Sequence, residues 1–518
     1  MKTEFSVARI FSDNMVLQRN ACIPVWGTGE PGDNVEVSFA PSTGSGQGGQ
    51  SKKGKVGMDG RWMIHLDPMP ASCEPRKLLV SSSIENRQLA IENVLLGEVW
   101  IAGGQSNMEF ALADTSYAGE EIPKADDPEL RCYKVPRIPY VGADLENPAA
   151  FSAKPEWSIC TPGNAGTFPA VAYHFAVEIR KTLKVPVGIV SCAWGGTSAS
   201  SWMSEKYLSA DKDIKVYLDE YQRLIAGLDM DKYLRDHEAY NSSVASFNRI
   251  KVETLAKNKD IGADELNRIL GPYPWPPPAG PKNFQTPSGL YHTMLEKISP
   301  YAAKGVIFYQ GESDVEKAPL YCSLFGNMIQ NWRDDWKNPK LPFLFTQITS
   351  YGCDGKLDGE DWAQLREQQL LASRKIPDTY MAVSIDCGDA VDIHPKNKRP
   401  IGERLALIAR SKVYGEKIEC SGPELRKMEI GKGKAILHFD HVGDGLAARE
   451  GQLVGFRICD VRRNFADAIA VIKGRDIVEV SSGGIENPVA VRFGWSNFTR
   501  ANLVNSHGLP ASPFRTDA

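Results

Sequence analysis

The chain has 518 residues, 42% of them hydrophobic and 24% charged, with a formal net charge of −4 and a pI near 6.1. That length exceeds what one core can organise and sets an expectation of about three domains. The weak negative charge gives no reason to expect nucleic acid or a membrane surface as a partner, and no apolar run approaches the roughly 20 residues that span a bilayer.

The opening Met1-Lys2-Thr3-Glu4-Phe5-Ser6 lacks a long apolar core, so no signal peptide is read. The expectation is a cytoplasmic protein or the processed form of a secreted or periplasmic one. The ten cysteines are scattered, with no C-x-x-C pair. That argues against a zinc ribbon and against a dense disulfide framework.

Residues 1–95 read as a small β-sandwich. Val35, Val37 and Phe39 alternate with Glu36 and Ser38, the period of a half-buried strand. Asp59-Gly60, between Lys55–Met58 and Arg61–Ile64, is a hairpin signal, and the Gly/Ser-rich stretch 41–54 reads as an exposed loop. Over 96–415 the pattern changes to short continuous apolar runs alternating with helical stripes. This is the signature of a doubly wound α/β domain with a parallel sheet covered on both faces. The apolar runs are Val94–Ala102, Val185–Val190, Gly305–Tyr309, Pro342–Thr346 and Tyr380–Ile385. The helical stripes include Ala172, Phe175, Ala176, Ile179 and Leu183, then Leu324, Met328, Trp332 and Trp336, then Ile401, Leu405 and Ile408. A charged helical insertion is expected at about 203–285, closed by the proline-rich Gly271-Pro272-Tyr273-Pro274-Trp275-Pro276-Pro277-Pro278. From 416 to 518 the chain returns to β alternation, with a hairpin turn at Lys473-Gly474-Arg475-Asp476.

In open α/β sheets ligands bind beyond the carboxyl ends of the strands. The segments that follow the apolar runs are therefore the ones to read for chemistry. They are Gly103-Gly104-Gln105-Ser106-Asn107, Ser191-Cys192-Ala193-Trp194-Gly195-Gly196-Thr197, Gln310-Gly311-Glu312-Ser313-Asp314 and Asp389-Ala390-Val391-Asp392-Ile393-His394-Pro395. If the strands are parallel, these clusters share one sheet edge and carry the parts of acyl transfer. Ser106 is the candidate nucleophile, at a glycine turn expected to lead into a helix at Glu109-Phe110-Ala111-Leu112. A serine hydroxyl needs an adjacent base, and His394 is the candidate. The backbone N–H groups of Ser106, Gly195 and Gly196 and the side-chain amide of Gln310 are candidate oxyanion donors. Asp392, two residues before His394, is preferred as the acid that orients it, with Glu312 as the rival. Asn107 and Trp275 are candidate substrate contacts. Ser313-x-x-Glu316 reads as a capping box for the helix that follows, and Arg404 as a solvated or salt-bridged helix residue.

At these residues the chain resembles the sialate O-acetylesterase family of SGNH-type carbohydrate esterases. The resemblance runs through Phe11-Ser12-Asp13-Asn14-Met15-Val16-Leu17-Gln18, the Gly-Gln-Ser-Asn-Met block and Trp194-Gly195-Gly196-Thr197. It continues through Gly289-Leu290-Tyr291, Tyr309-Gln310-Gly311-Glu312-Ser313, Asp392-Ile393-His394-Pro395 and the closing Ser512-Pro513-Phe514-Arg515-Thr516-Asp517. It implies a flavodoxin-like SGNH hydrolase domain between two β domains. It also implies a serine esterase, free of metal and cofactor, that removes O-acetyl groups from sialic acids or plant polysaccharide sugars. Two departures stand out. SGNH enzymes commonly place the acid three residues before the histidine, where this chain has Val391, and some related acetyl xylan esterases use the Glu at the position of Glu312. The family usually has Asn where this chain has Asp314. The competing readings are a catalytically silent carbohydrate-binding protein and a glycosidase with Glu312 and Asp392 as paired carboxylates.

Overall fold

A computed structural model of the chain describes residues 4–41, 48–84, 87–147, 155–258, 261, 263–353 and 355–517. In the N-terminal region Ile23–Thr28 pairs antiparallel with Arg61–Leu66, while Asn34–Phe39 pairs with Gln50–Lys55 and with Ser72–Ser82. The alternation places Val35, Val37 and Phe39 inward against Trp62, Ile64 and Leu66. The loop expected over 41–54 lies partly outside the described residues, and its end, from Gln50, is a strand. The Asp59-Gly60 turn forms, with the Gly60 N–H on the Gly57 carbonyl and the Arg61 N–H on the Asp59 carboxylate. It does not close a hairpin. The strands on either side pair with different partners, so this turn carries the chain from one sheet to another, and the inward stripe of Trp62, Ile64 and Leu66 sets the new partner.

Strand β1, Gln88–Gly104, spans both regions. Its first part lies antiparallel to Ser72–Ser82, and its second part enters a parallel sheet. The boundary expected near 95 therefore falls inside one continuous strand. The remaining strands of this sheet are β2 (Asp127–Lys134), β3 (Trp157–Cys160), β4 (Val187–Ala193), β5 (Gly305–Tyr309), β6 (Phe343–Thr346) and β7 (Thr379–Ala382). They lie in the order β3-β2-β4-β1-β5-β6-β7, parallel throughout except for β3 against β2. The protein is thus mixed α/β, with one large mixed sheet and additional β-sheets.

Both faces of the sheet are covered, which explains the continuous apolar runs. On one face Trp100 and Ala102 of β1 meet Phe175 and Ala176 of helix Ala170–Leu183 and Ile401 and Leu405 of helix Arg399–Ile408. On the other, Val99 and Ile101 meet Leu324, Met328 and Trp332 of helix Tyr321–Asp335 and Leu365 of helix Asp361–Lys375. The insertion is helical, with Glu205–Ala210, Val216–Ala226, the long Met230–Lys257 and Ala263–Leu270. In the C-terminal region two four-stranded antiparallel sheets and a two-stranded one share a core that includes Leu437, Phe439, Phe456, Val478, Val491, Phe493 and Leu503, and the expected hairpin pairs Lys473 with Ile477.

The register matters most for the site. Gly104 at the end of β1 pairs with Ala193 at the end of β4 and with Tyr309 at the end of β5. Three strand ends therefore stop at one level, and the turns that follow them open on the same edge.

Candidate active site

Gly104 has φ +133°, and a Cβ there would collide with the Tyr309 carbonyl, so only glycine lets β1 and β5 end this close together. The Gln105 N–H donates to that carbonyl at 3.0 Å, and the buried Gln105 Oε1 accepts from the Ser313 N–H at 3.3 Å. This fixes the turn from which Ser106 opens the single helical turn Ser106–Glu109. The helix starts three residues before the expected Glu109 and stops there. The chain is drawn away at Phe110, whose carbonyl accepts the Ala170 N–H at 2.8 Å, while the Leu112 N–H donates to Phe168. In a first helical turn the N–H groups have no intrahelical acceptor, so the Ser106 N–H lies beside its own hydroxyl as an available donor.

The loop after β7 carries His394 to this serine. Asp389 Oδ1 accepts the N–H groups of Val391 and Asp392 at 2.8 and 3.0 Å, and Asp392 Oδ1 accepts the N–H of His394 at 2.8 Å. Two successive Asx turns thus shape a segment without regular structure. They bring His394 Nε2 to 2.8 Å from Ser106 Oγ across 288 residues of sequence. Burial, and after it the Lys398 charge, hold the imidazole below its ordinary pKa, with Asp392 opposing. Asp392 acts on the backbone N–H of His394 and on the ring only through its charge.

Behind Ser106 lies a buried polar group. Asn107 is 0% exposed, and its amide donates to Glu312 Oε1 at 2.6 Å and to the Ile393 carbonyl at 3.1 Å. Its Oδ1 accepts from Lys398 Nζ, itself 0% exposed. Asn107 is therefore not placed to touch substrate as the sequence suggested, because its side chain points inward and ties the His394 loop to the Ser106 turn. Burial raises the pKa of Glu312 and lowers that of Lys398 to about 8, each opposed by the other's charge. Glu312 Oε2 is buried without a hydrogen-bond partner.

Gln310 is 1% exposed and donates its amide hydrogens to Thr197 O at 3.1 Å and Asp314 Oδ2 at 2.6 Å. No hydrogen is left for an oxyanion in this geometry. Asp314 also accepts from Ser198 Oγ at 2.5 Å, the Ala199 N–H at 2.9 Å and Tyr217 Oη at 2.9 Å. The two side chains brace the loop after β4. The capping box expected at Ser313 and Glu316 does not form: Gly311 takes the cap position, with no side-chain cap. Arg404 is salt-bridged to Asp386 at 2.6 Å.

That braced loop presents Gly195 and Gly196. A Cβ on Gly195 would stand 3.1 Å from Ser106 Cβ, so its backbone flanks Ser106. The Gly195 N–H donates to Glu109 Oε2 at 2.7 Å, and the other oxygen of Glu109 pairs with Arg137 at 2.8 Å. Gly196 has φ +72°, and its Cα faces the indole of Trp275, which would block any Cβ there. Trp275 is 52% exposed, and Trp194 stacks on Phe284 at 4.5 Å. The end of the insertion therefore supplies an aromatic wall beside the serine.

Lys398 and Arg137 were not singled out from sequence, Glu109 was read only as the start of a helix, and Asp314 as a departure from the family's Asn. Only Glu109 carries a local signal, following Ser106 by three residues, one helical turn. Among the described residues no group of three or more His, Cys, Asp or Glu side chains could hold a metal ion, and no helix is long and apolar enough to cross a membrane.

Residues 280–410 match the family model described as carbohydrate esterase, sialic acid-specific acetylesterase. A carbohydrate acetylesterase from Xanthomonas citri, of known crystal structure, is 34% identical, with 99% of each chain covered and a TM-score of 0.77. Sialate O-acetylesterases of Rattus norvegicus and Homo sapiens are 28% and 24% identical, covering 82% and 98% of this chain and 77% and 92% of their own length.

Proposed function

The chain belongs to the sialate O-acetylesterase family of carbohydrate esterases, and we propose that it removes O-acetyl groups from sugars through an acetyl-Ser106 intermediate. The single observation that carries this reading is the 2.8 Å approach of His394 Nε2 to Ser106 Oγ at aligned strand ends. His394, kept neutral by burial and by the Lys398 charge, takes the proton as Ser106 Oγ attacks the acetyl carbonyl carbon. The N–H groups of Ser106 and Gly195, with Gly196 adjoining, hold the oxyanion. Collapse of the tetrahedral intermediate breaks the ester C–O bond, and the sugar oxygen leaves with the proton from His394. Water, deprotonated by the same imidazole, then attacks the acetyl carbon; the Ser106 Oγ–C bond breaks, Oγ takes the proton back from His394, and acetate is released.

Asp392 favours the imidazolium formed in each step by its charge. Glu312 acts through Asn107, which it holds in place. Glu312 Oε1 is held by Asn107 and Oε2 is buried, which disfavours the glycosidase reading. Strands β4, β1, β5, β6 and β7, renumbered among themselves, lie in the order 2-1-3-4-5, which supports a flavodoxin-like SGNH arrangement. The exposed Trp275 face gives the sugar ring an apolar surface to stack on.

The test is acetate release from p-nitrophenyl acetate and from acetylated sialic acid, xylan, xyloglucan and glucomannan. Ser106→Ala should lower kcat by at least about a thousandfold. Wild-type turnover in that variant overturns the proposal, and the sugar panel assigns the substrate.

A further inference from the structure

One of the donors assigned to the oxyanion is already engaged. The Gly195 N–H, beside Ser106, points at Glu109 Oε2 at 2.7 Å. Glu109 ends the helical turn that Ser106 begins, so one rigid element presents both the nucleophile and an anion competing for the donor. A carboxylate oxygen on this N–H sits where a developing oxyanion must sit, and two negative oxygens cannot share one donor. The other oxygen of Glu109 pairs with Arg137 at 2.8 Å, and both side chains are partly open to solvent. The guanidinium lies over the Trp194 ring at 5.5 Å and offers a fork that can take both carboxylate oxygens at once.

We propose that Glu109 is a positioning residue that fills the acyl-oxygen site of the unliganded enzyme and withdraws onto Arg137 when an ester enters. The inference rests on the reading of Ser106 and Gly195 given above. In the unliganded state the carboxylate keeps the Gly195 amide oriented and shields it from acetate, the anionic product. An ester carbonyl, being neutral, displaces it without like-charge repulsion. The apparent affinity for any occupant of the hole is then reduced by the fraction of molecules in which Glu109 is bound there.

The experiment measures acetate binding directly, by line broadening of carbon-13 acetate, together with acetate inhibition and the kcat and KM for p-nitrophenyl acetate. Glu109→Ala should bind and be inhibited by acetate at about tenfold lower concentration, with a lower KM. Glu109→Gln keeps an oxygen for Gly195 without the charge and should fall between. Arg137→Met strengthens the hold of Glu109 on Gly195 and should raise KM. Unchanged acetate affinity and KM in both Glu109 variants overturns the proposal, as does loss of kcat in Glu109→Gln with acetate affinity unmoved. Acetate titration needs no turnover. An active Ser106→Ala enzyme therefore refutes the nucleophile, whereas unmoved acetate binding refutes the role of Glu109.

Discussion

Ser106 has an acid–base pair on each side of it. Inward lie Glu312 and Lys398, joined through Asn107. Outward lie Glu109 and Arg137, touching Gly195. The residue types are nearly the same and the environments are opposite. The inner pair is largely buried, with Lys398 0% exposed and Glu312 Oε2 out of solvent, so a rearrangement would strand a charge in low dielectric. The outer pair keeps water on one side, where an ion pair contributes only about 0–1 kcal/mol and can exchange partners at little cost. The inner pair suits holding a geometry fixed, because Asn107 links Glu312, Lys398 and the Ile393 carbonyl next to His394. The outer pair suits something that must give way.

The comparison can be broken from either side. The largest effect is expected from His394→Ala, which removes the base proposed for Ser106. It should cost at least about a thousandfold in kcat on p-nitrophenyl acetate, with little change in KM. Lys398→Met comes next. It leaves Glu312 buried without its cation, so the protein should lose about 3–5 kcal/mol of stability in denaturant unfolding. The same substitution removes a positive charge that now disfavours the imidazolium. The His394 pKa should therefore rise, and the acid limb of kcat/KM should move to higher pH. An unmoved limb would mean that Lys398 serves the fold alone.

Asp392→Asn and Glu312→Gln separate the two carboxylates. In the first, the amide that replaces the carboxylate still offers an oxygen to the His394 N–H, so the loop should persist while the charge that favours the imidazolium is lost. A roughly tenfold to hundredfold fall in kcat and a shift of the acid limb to lower pH are expected. Glu312→Gln should change kcat less. A larger loss there would make the inner carboxylate the group that orients His394. Trp275→Ala should raise KM for acetylated sugars about fivefold, equivalent to about 1 kcal/mol of lost contact, and leave p-nitrophenyl acetate unaffected. Arg137→Ala should be the mildest, changing stability by less than about 1 kcal/mol.

Much of this was legible from residues alone. The apolar runs marked the strands because a parallel sheet covered on both faces buries nearly every position in them. The turns after those runs held Ser106, Gly195, Gly196 and His394, the groups from which the chemistry is argued. Local patterns failed where a distant neighbour competed more strongly. Asp59-Gly60 turned the chain, yet the inward stripe of Trp62, Ile64 and Leu66 chose a different partner strand. Ser313 and Glu316 fit a cap, yet Asp314 between them is drawn into the core by Ser198, Ala199, Gln310 and Tyr217.

The sequence by itself determined the alternation of strands and helices and the nature of the turn that exposes a serine. These depend on side-chain period and on glycine's backbone freedom, both local properties. Tertiary structure alone decided who meets whom at that turn. His394 and Lys398 lie 288 and 291 residues from the side chains they bond, and Gly195 lies 86 from Glu109. It also decided that Asn107 points inward, that the Gln310 amide is fully engaged and that Glu109 accepts from the Gly195 N–H beside Ser106. Such outcomes follow from burial and from competition for hydrogen bonds among groups distant in the chain, and no local pattern encodes them.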